Sequence, residues 1–331
     1  MSNSPFTHPT PSTFTVSLDL ELYWGVRDKR SVDDYKKNLL GVRKAIPEML
    51  QLFKKNDIHA TWATVGFLFF KNIEELQENL PESLPAYLNG NLSPYKQMGQ
   101  LMDIDRTYLF APDLIEQINK TPGQEIGTHT FSHYYCLEAG QSAVDFYNDL
   151  NKAKEIAAKK GMELKSLVFP RNQWKAEYLT VLDKLGIQCY RGNEKGWMYR
   201  ASDDQGQNSL KRAFRLLDAY LNISGHNVYN LAVHAGKKPY NFPSSRFLRP
   251  YSKKLSFLDG LKLRRIKNSM TYAAKNNKLF HLWWHPHNFG VHTEKNINFL
   301  REIITHYQNL HKQYGMESLN MSELSEKADA K

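Results

Sequence analysis

The chain has 331 residues, of which 41% are hydrophobic and 24% are charged, and 44 Lys and Arg against 34 Asp and Glu give a formal net charge of +10. This hydrophobic content excludes a disordered chain, which would bury too little apolar surface to offset the loss of chain entropy. The two cysteines, Cys136 and Cys189, exclude a disulfide-stapled scaffold and a zinc site of four cysteines. A bound metal must therefore be held by histidines and carboxylates.

The sequence shows neither a membrane span nor an export signal. No apolar run reaches the roughly 18–20 residues that cross a bilayer. Residues 1–13 are rich in Ser, Thr and Pro and lack the basic and apolar regions of a secretory signal. We therefore expect a cytoplasmic protein with reduced thiols.

Extended and helical patterns alternate along the chain, which is typical of an α/β fold. Strands are predicted at 13–18, 58–65, 125–128, 164–169, 187–191, 229–233 and 279–284. Helices are predicted at 34–54, 111–119, 141–160, 175–185, 209–221, 256–277 and around 297–310. About seven strand–helix units indicate a distorted (β/α) barrel of about seven parallel strands.

We expect one catalytic domain over residues 1–331, with a core near 13–312. Residues 81–105 and 235–255 fit neither pattern and are predicted to be insertions. The charged tail after Asn320 is predicted to fray.

Active sites of such barrels lie where the strands end, so polar residues at these positions are the first candidates. Asp19 and Glu21 end the first strand, and the alternation of a strand places both side chains on one side. Two converging carboxylates require a cation nearby. The alternative interpretation is a solvated strand end in which Asp19 caps a turn, and this pair alone does not separate the two.

A pair of histidines follows the predicted third strand. His129 and His133 are four residues apart, and one helical turn would place both imidazoles on one face, suited to a single metal ion. The carboxylates of the first strand could supply a third ligand. The alternative is a surface histidine pair, which is common at this spacing.

Three histidines among large rings lie in and after the last predicted strand, in the sequence His281-Leu-Trp-Trp-His285-Pro-His287. A histidine at a strand end, walled by tryptophan, is a candidate general acid because its pKa is easily tuned. The alternative is aromatic core followed by an exposed, histidine-rich turn.

Taken in order, these motifs resemble the polysaccharide deacetylase family, also called the NodB-homology family or family-four carbohydrate esterases, over roughly residues 13–312. The family's His-Ser/Thr-x-x-His motif is matched fully by His129 to His133. Asp19-Leu20-Glu21 is similar to an Asp-x-acid variant of its first motif, with Glu in place of Asp. Residues 169–174 resemble its arginine motif in an altered order, and residues 283–285 resemble its last motif.

The resemblance implies a metal-dependent deacetylase that hydrolyses an N-acetyl or other N-acyl group on a sugar. The implied ligands of one divalent metal ion, expected to be zinc, are Glu21, His129 and His133. The implied general base is Asp19, with Arg171 keeping it ionised, and the implied general acid is His285, with His287 in reserve. The candidate substrate-binding residues are Trp24, Trp174, Trp284 and His287, and barrel core is the alternative role for the rings.

The resemblance and the expected location together imply a sugar substrate in a cytoplasmic precursor of a surface glycan, such as lipopolysaccharide, O-antigen or capsule, linked to a lipid or a nucleotide. Residues 237–267 hold ten Lys and Arg opposed only by Asp259. Such a cluster suits an anionic membrane leaflet, at the inner membrane face, or the diphosphate of a lipid-linked sugar. The alternative is a solvated basic loop and helix, and no nucleic-acid partner is expected.

Two other functions stay open from the sequence. One is the hydrolysis of a different carbon–nitrogen amide on the same fold, by a deformylase or a cyclic-amide hydrolase. The other is a non-catalytic protein that binds glycans or membranes. Metal content and the amide that is hydrolysed would separate these functions from the first.

Overall fold

The structure is a computed structural model that describes residues 11–203, 206, 209–231 and 237–330. Its strands are β1 (Thr13–Leu20), β2 (Ala60–Thr64), β3 (Gln124–Thr128), β4 (Ser166–Val168), β5 (Cys189–Arg191), β6 (Tyr240–Asn241), β7 (Arg246–Phe247), β8 (Leu279–Trp284) and β9 (Glu317–Ser318). They pair in parallel in the order β6-β5-β4-β3-β2-β1-β8-β7, with β9 beside β1. The expected α/β fold, a distorted barrel of parallel strands, is confirmed.

Ten α-helices are present among the described residues. They are α1 (Val32–Lys55), α2 (Ile73–Gln77), α3 (Met98–Leu101), α4 (Pro112–Asn119), α5 (Ala143–Lys159), α6 (Ala176–Lys184), α7 (Ser209–Asp218), α8 (Asp259–Lys275), α9 (Thr293–Tyr314) and α10 (Met321–Asp329). Ser31 caps α1 by accepting a hydrogen bond from the Asp34 backbone N–H, and Ser142 caps α5 in the same way. No helix of the described residues is both long and apolar enough to cross a membrane.

The first strand shows how the sheet positions a site. Alternate side chains of a strand point to opposite faces. One face of β1 is apolar and joins the core between sheet and helices, at Phe14, Val16, Leu18 and Leu20. The other face is polar and buried, at Thr13, Thr15, Ser17 and Asp19. Ser17 Oγ accepts a hydrogen bond of 2.9 Å from Arg191 of β5, so this polar face lines the barrel interior and leads to Asp19.

The segment from Tyr240 to Leu248 brings the two edges of the sheet together. The Phe242 N–H donates to the Tyr190 carbonyl of β5, and the Leu248 N–H donates to the Trp283 carbonyl of β8. The prediction of an insertion over 235–255 is therefore wrong for this segment, because its residues form β6 and β7. The strand predicted at 229–233 is represented by Tyr229, which forms an antiparallel bridge with Leu279, while residues 232 and 233 lie outside the described residues.

The end of the chain is packed rather than frayed, so that prediction is also wrong. β9 pairs with the start of β1, and α10 buries Met321 and Leu324 in an apolar cluster with residues of β5 and β8. Residues 81–105 contain short 3-10 turns and the four-residue helix α3.

Candidate metal and catalytic centre

The candidate residues come together at the carboxyl ends of the strands. Asp19 and Glu21 end β1, His129 follows β3, Arg191 ends β5, and His285 follows β8. Parallel strands bring their carboxyl ends to one edge of the sheet, so residues far apart in sequence become neighbours there. Asp19 and Glu21 are only 3% and 4% exposed.

Glu21, His129 and His133 form a cluster whose ligand atoms all lie within 4.8 Å of one another. Glu21 Oε2 is 3.4 Å from His129 Nε2 and 3.0 Å from His133 Nε2. His129 Nδ1 lies 2.8 Å from the Val168 carbonyl, to which it donates its proton. That hydrogen bond leaves the Nε2 lone pair of His129 directed at the cluster, as in histidines that bind metals.

Burial and charge prepare Glu21 and His133 as ligands. Burial opposes ionisation of Glu21, but the neighbouring histidines outweigh it and hold the pKa of its carboxyl well below the usual range. Burial lowers the pKa of His133 to about 4, so its imidazole is neutral at neutral pH. A carboxylate beside a neutral imidazole is the protonation state that metal binding requires.

The two histidines meet through a loop rather than a helical turn, so the predicted helix at this point is wrong. Thr130 and His133 have left-handed backbones, with φ of 64° and 59°. The Thr130 N–H donates to Thr128 Oγ1 at 3.0 Å, and the Tyr134 N–H donates to Thr130 Oγ1 at 2.7 Å. These contacts hold a conformation that L-residues rarely adopt without support.

Asp19 is paired with Arg191, not with Arg171. Arg191 Nη1 and Nη2 donate to the two carboxylate oxygens of Asp19 at 2.7 and 2.8 Å. Burial raises the pKa of Asp19, but Arg191, His129 and His285 together outweigh it, so the pKa lies below its ordinary value. The expected role of Arg171 is wrong because its guanidinium pairs with Asp28 and lies 4.0 Å above the Tyr135 ring.

Of the two candidate acids, His285 has access to solvent and His287 does not. His285 Nε2 lies 3.8 Å from Asp19 Oδ2 and 3.6 Å from Glu21 Oε1, and its side chain is 23% exposed. His287 Nε2 lies 3.9 Å from Glu21 Oε1 but is buried beside Tyr35. Burial lowers the pKa of His287 to about 3, so it is neutral at neutral pH.

The rings predicted to hold the substrate are mostly core. Trp24 is fully buried against Phe67, and its Nε1 donates to the Leu109 carbonyl at 2.7 Å. Trp284 is fully buried between α1 and the turn after β8. Trp174 is half-buried against Tyr190. The substrate-binding predictions for Trp24 and Trp284 are therefore wrong, and the one for His287, which lies beside Glu21, stays a prediction.

A cavity of about 530 Å³ opens beside His285. Trp283, which directly precedes the buried Trp284, forms part of its wall together with Phe247. The Nε1 of Trp283 donates to Glu194 Oε1 at 3.1 Å, and the Arg191 guanidinium lies 4.1 Å from the Trp283 ring centroid. Sequence reasoning missed Arg191 and the cavity, although the position of Arg191 at the end of a predicted strand was a usable signal.

A second cavity of about 430 Å³ adjoins the other side of the centre. Gly25 lines it, and a Cβ at this position would lie 2.0 Å from Glu21 Cδ, so any side chain here would displace the carboxylate. Arg171 lines both cavities and so lies at their junction. The two cavities therefore meet at Arg171.

The basic segment 237–267 is not one surface. Arg246 and Arg265 are buried on Asp218, and Lys262 is buried beside Asp259. The exposed part is shorter and spans residues 253–264, where Phe257 is 79% exposed next to Lys253 and Lys254.

The comparisons with known proteins support a hydrolase of the carbohydrate esterase type. Residues 31–190, just under half of the chain, match the family model described as polysaccharide deacetylase, a span that includes His129 and His133. This span is similar to the polysaccharide deacetylase, or NodB-homology, family, in agreement with the resemblance of the sequence motifs. Asp19, Glu21 and His285 lie outside the matched span, so their placement rests on the structure.

Solved structures share the fold at low sequence identity. A protein from Mycobacterium smegmatis described as a polysaccharide deacetylase has a TM-score of 0.61 and 13% identity, covering 100% of this chain and 95% of its own. Puue allantoinase has a TM-score of 0.56 and 11% identity, covering 99% and 95%. A 4-alpha-glucanotransferase from Thermococcus litoralis has a TM-score of 0.53 and 14% identity, covering 96% of this chain and 40% of its own. A comparison with curated proteins finds no match.

Proposed function

We propose that the protein is a metal-dependent deacetylase that hydrolyses an N-acetyl or other N-acyl group on a sugar. The observation that carries this proposal is the buried cluster of Glu21, His129 and His133, with ligand atoms within 4.8 Å of one another beside Asp19 and His285. A glycan-binding protein has no need of this combination of ligands, base and acid.

The cluster fits a divalent cation. One carboxylate and two imidazoles form the ligand set of a catalytic zinc site, which keeps a position open. A divalent ion held there would polarise the amide carbonyl and lower the pKa of a bound water. We propose that the metal is zinc. Because the same ligands accept cobalt, nickel and iron, elemental analysis of the purified protein has to identify the metal.

Asp19 and His285 are the two groups suited to moving protons. Asp19 is held ionised by Arg191 and is the general base that takes the proton of the attacking water. His285, at the edge of the cavity, is the general acid that protonates the departing amine. Water adds to the acyl carbon, the carbon–nitrogen bond breaks, and the products are the free amine and acetate.

The test separates metal binding from proton transfer. We expect His129→Ala to lose both metal content and turnover, and Asp19→Asn to keep the metal and lose turnover. His311→Ala, beside β9, is the matched control and should change neither. Asp19→Asn also leaves Arg191 without its carboxylate, so its thermal stability is measured alongside. Near-normal turnover of Asp19→Asn would show that the base is assigned wrongly.

For the substrate we propose an N-acylated sugar in a cytoplasmic precursor of a surface glycan, carried by a lipid or a nucleotide. The family supports a sugar substrate. Amine release from a panel of N-acetyl sugars, N-formyl sugars and cyclic amides tests this, with metal-loaded protein. Hydrolysis of the cyclic amides alone would overturn it.

We propose that the exposed residues 253–264 contact an anionic leaflet at the inner membrane face. Phe257 is 79% exposed and Leu261 is 43% exposed, and the exposed Lys253 and Lys254 precede them in the chain. Apolar rings beside lysines suit an anionic lipid surface. Co-sedimentation with anionic liposomes at low and high salt tests this contact, and no binding at low salt would remove it.

A further inference from the structure

The cavity beside His285 is lined by six arginines, an unusual density of one charge in about 530 Å³. They come from the turn after β4, the segment before α7, α7 itself, and β7 with the residues after it: Arg171, Arg200, Arg212, Arg215, Arg246 and Arg249. Glu194 is the one carboxylate among the described lining residues, and it accepts the hydrogen bond of Trp283 Nε1.

Carboxylates beneath the cavity neutralise only part of this charge. Arg246 pairs with the buried Asp218, and Arg171 pairs with Asp28. Arg200, Arg212 and Arg249 have no carboxylate oxygen within 4.0 Å in the described part of the chain. Three guanidinium groups therefore line one cavity in which Glu194 is the single described carboxylate, and none of the three pairs with it.

Such an arrangement is unfavourable for the protein alone. Like charges that share a cavity repel, and the partial burial of Arg249 adds a desolvation cost for that residue. Burial lowers the pKa of Arg249, and Arg215 nearby lowers it further. An anionic ligand would relieve both effects, and guanidinium groups match phosphate oxygens in pairs of hydrogen bonds.

We propose that this cavity binds a phosphate or diphosphate group attached to the sugar substrate, through Arg200, Arg212 and Arg249. The proposal deepens the proposed function and rests on it. The cavity reaches His285, so the anion would lie beside the reacting amide, and the rings of Trp283 and Phe247 form a wall on which a sugar can stack. Three guanidinium groups exceed what one carboxylate needs and suit the charge of a diphosphate.

The first experiment measures binding without turnover. Calorimetry with pyrophosphate and with uridine diphosphate compares the metal-loaded wild type with the double variant Arg200→Gln/Arg212→Gln and with Arg249→Gln. Because a hydrogen bond to a charged group is lost, we expect Kd to rise by about tenfold or more. Arg301→Gln, an exposed arginine on α9, is the matched control and should bind like the wild type. Absence of binding, or equal binding by the double variant, would overturn the proposal.

The second experiment identifies the source of the phosphate. Acyl release is compared for a nucleotide-diphosphate N-acetyl sugar, a lipid-diphosphate N-acetyl sugar and an uncharged N-acetyl sugar oligomer. The variants should raise KM for the phosphate-linked substrates and leave the uncharged one unchanged. A lower calorimetric Kd for a sugar carboxylate than for any of the phosphate compounds would overturn the proposal. Binding of diphosphates without turnover of any sugar would instead contradict the proposed function and leave the site intact.

Discussion

Asp19 and Arg191 form the pair on which the proposed base depends. Both are almost fully buried, and two parallel hydrogen bonds of 2.7 and 2.8 Å join them. Removing one partner of a buried ion pair is costly because the other charge stays without compensation. The pair therefore fixes the position of the carboxylate and its ionised state together.

We expect Arg191→Lys to shift the acidic limb of the pH profile to higher pH. Lysine keeps the charge but not the two parallel hydrogen bonds, so the pKa of Asp19 should rise toward its ordinary 3.8 or above. The ionised base would then be lost at a higher pH, and one buried acceptor without its partner costs about 1–3 kcal/mol of stability. The profile of kcat/KM against pH measures the shift.

The same pair has a consequence for stability. Because the pKa of Asp19 is depressed in the folded state, the contribution of Asp19 to stability is present above the ordinary pKa and is lost as pH falls through the folded value.

The control for Arg191→Lys is Arg43→Lys, at the surface pair with Asp113, which should leave the pH profile of activity unchanged. An unshifted acidic limb in Arg191→Lys would show that Arg191 does not set the protonation of the base.

Residue by residue, the sequence predicts the ligands better than their partners. Asp19, Glu21, His129 and His285 follow predicted strands, and strand ends meet in a parallel barrel, so their proximity is predictable. The sequence does not identify Arg191 as the partner of Asp19, because the resemblance to the family's arginine motif points to Arg171. Whether a tryptophan at a strand end lies in the core depends on which face of the sheet its side chain points to. Composition alone therefore does not show which of Trp283 and Trp284 lines the cavity.

At the scale of elements, α5 supports the loop that carries the histidines. Asp149 of α5 is fully buried and accepts hydrogen bonds from the backbone N–H groups of Phe131 and Ser132, at 2.7 and 3.2 Å, and from the Ser132 hydroxyl. Burial raises the pKa of Asp149 to about 6, so it is ionised at neutral pH. A charged acceptor thus fixes two of the three residues between the proposed ligands.

We expect Asp149→Ala to weaken metal binding without touching a ligand. The loop would lose the acceptor that fixes Phe131 and Ser132 between the proposed ligands, and loss of a group that orients ligands typically costs about 10–100-fold in metal affinity. Competition with a chelator measures the metal Kd, and Asp149→Asn, which keeps one acceptor, should recover part of it.

The control for this variant lies in the same helix. Asp145→Ala removes the capping carboxylate of α5 and should cost about 0.5–2 kcal/mol of stability while the metal Kd stays the same. Unchanged metal affinity in Asp149→Ala would show that the loop holds its shape without α5.

The elements themselves were predictable to different degrees. Six predicted strands agree with β1, β2, β3, β4, β5 and β8 to within two residues at each end, because runs of apolar and β-branched residues mark buried strands. β6 and β7 have two residues each and flank Pro243, so they leave no periodic signal. The loop at His129 was predicted as a helical turn because spacing does not reveal a positive φ.

On the scale of the whole molecule, the barrel has an open end and a closed end. The open end carries the metal cluster, and the closed end is filled by the segment 317–329. The Met321 N–H donates to Thr61 Oγ1 at 2.8 Å, and Cys189 Sγ lies 3.3 Å from the Met321 carbonyl. These contacts reach the first residues of β2 and β5, at the end opposite to the site.

The closed end should support stability and not chemistry. Glu317 pairs with Thr13, six residues before Asp19, so the two ends are about 20 Å apart along β1. Leu324 is 1% exposed, and truncation of a buried leucine costs about 2–5 kcal/mol. We therefore expect Leu324→Ala to lower the free energy of unfolding by this amount, measured in urea, while kcat/KM of the folded protein stays at the wild-type value.

The control is Glu326→Ala, exposed on the same helix, which should change the free energy of unfolding by no more than about 1 kcal/mol and leave kcat/KM unchanged. A frayed tail would instead make Leu324→Ala as silent as Glu326→Ala, and a loss of activity at full stability would mean that the two ends of the barrel are coupled.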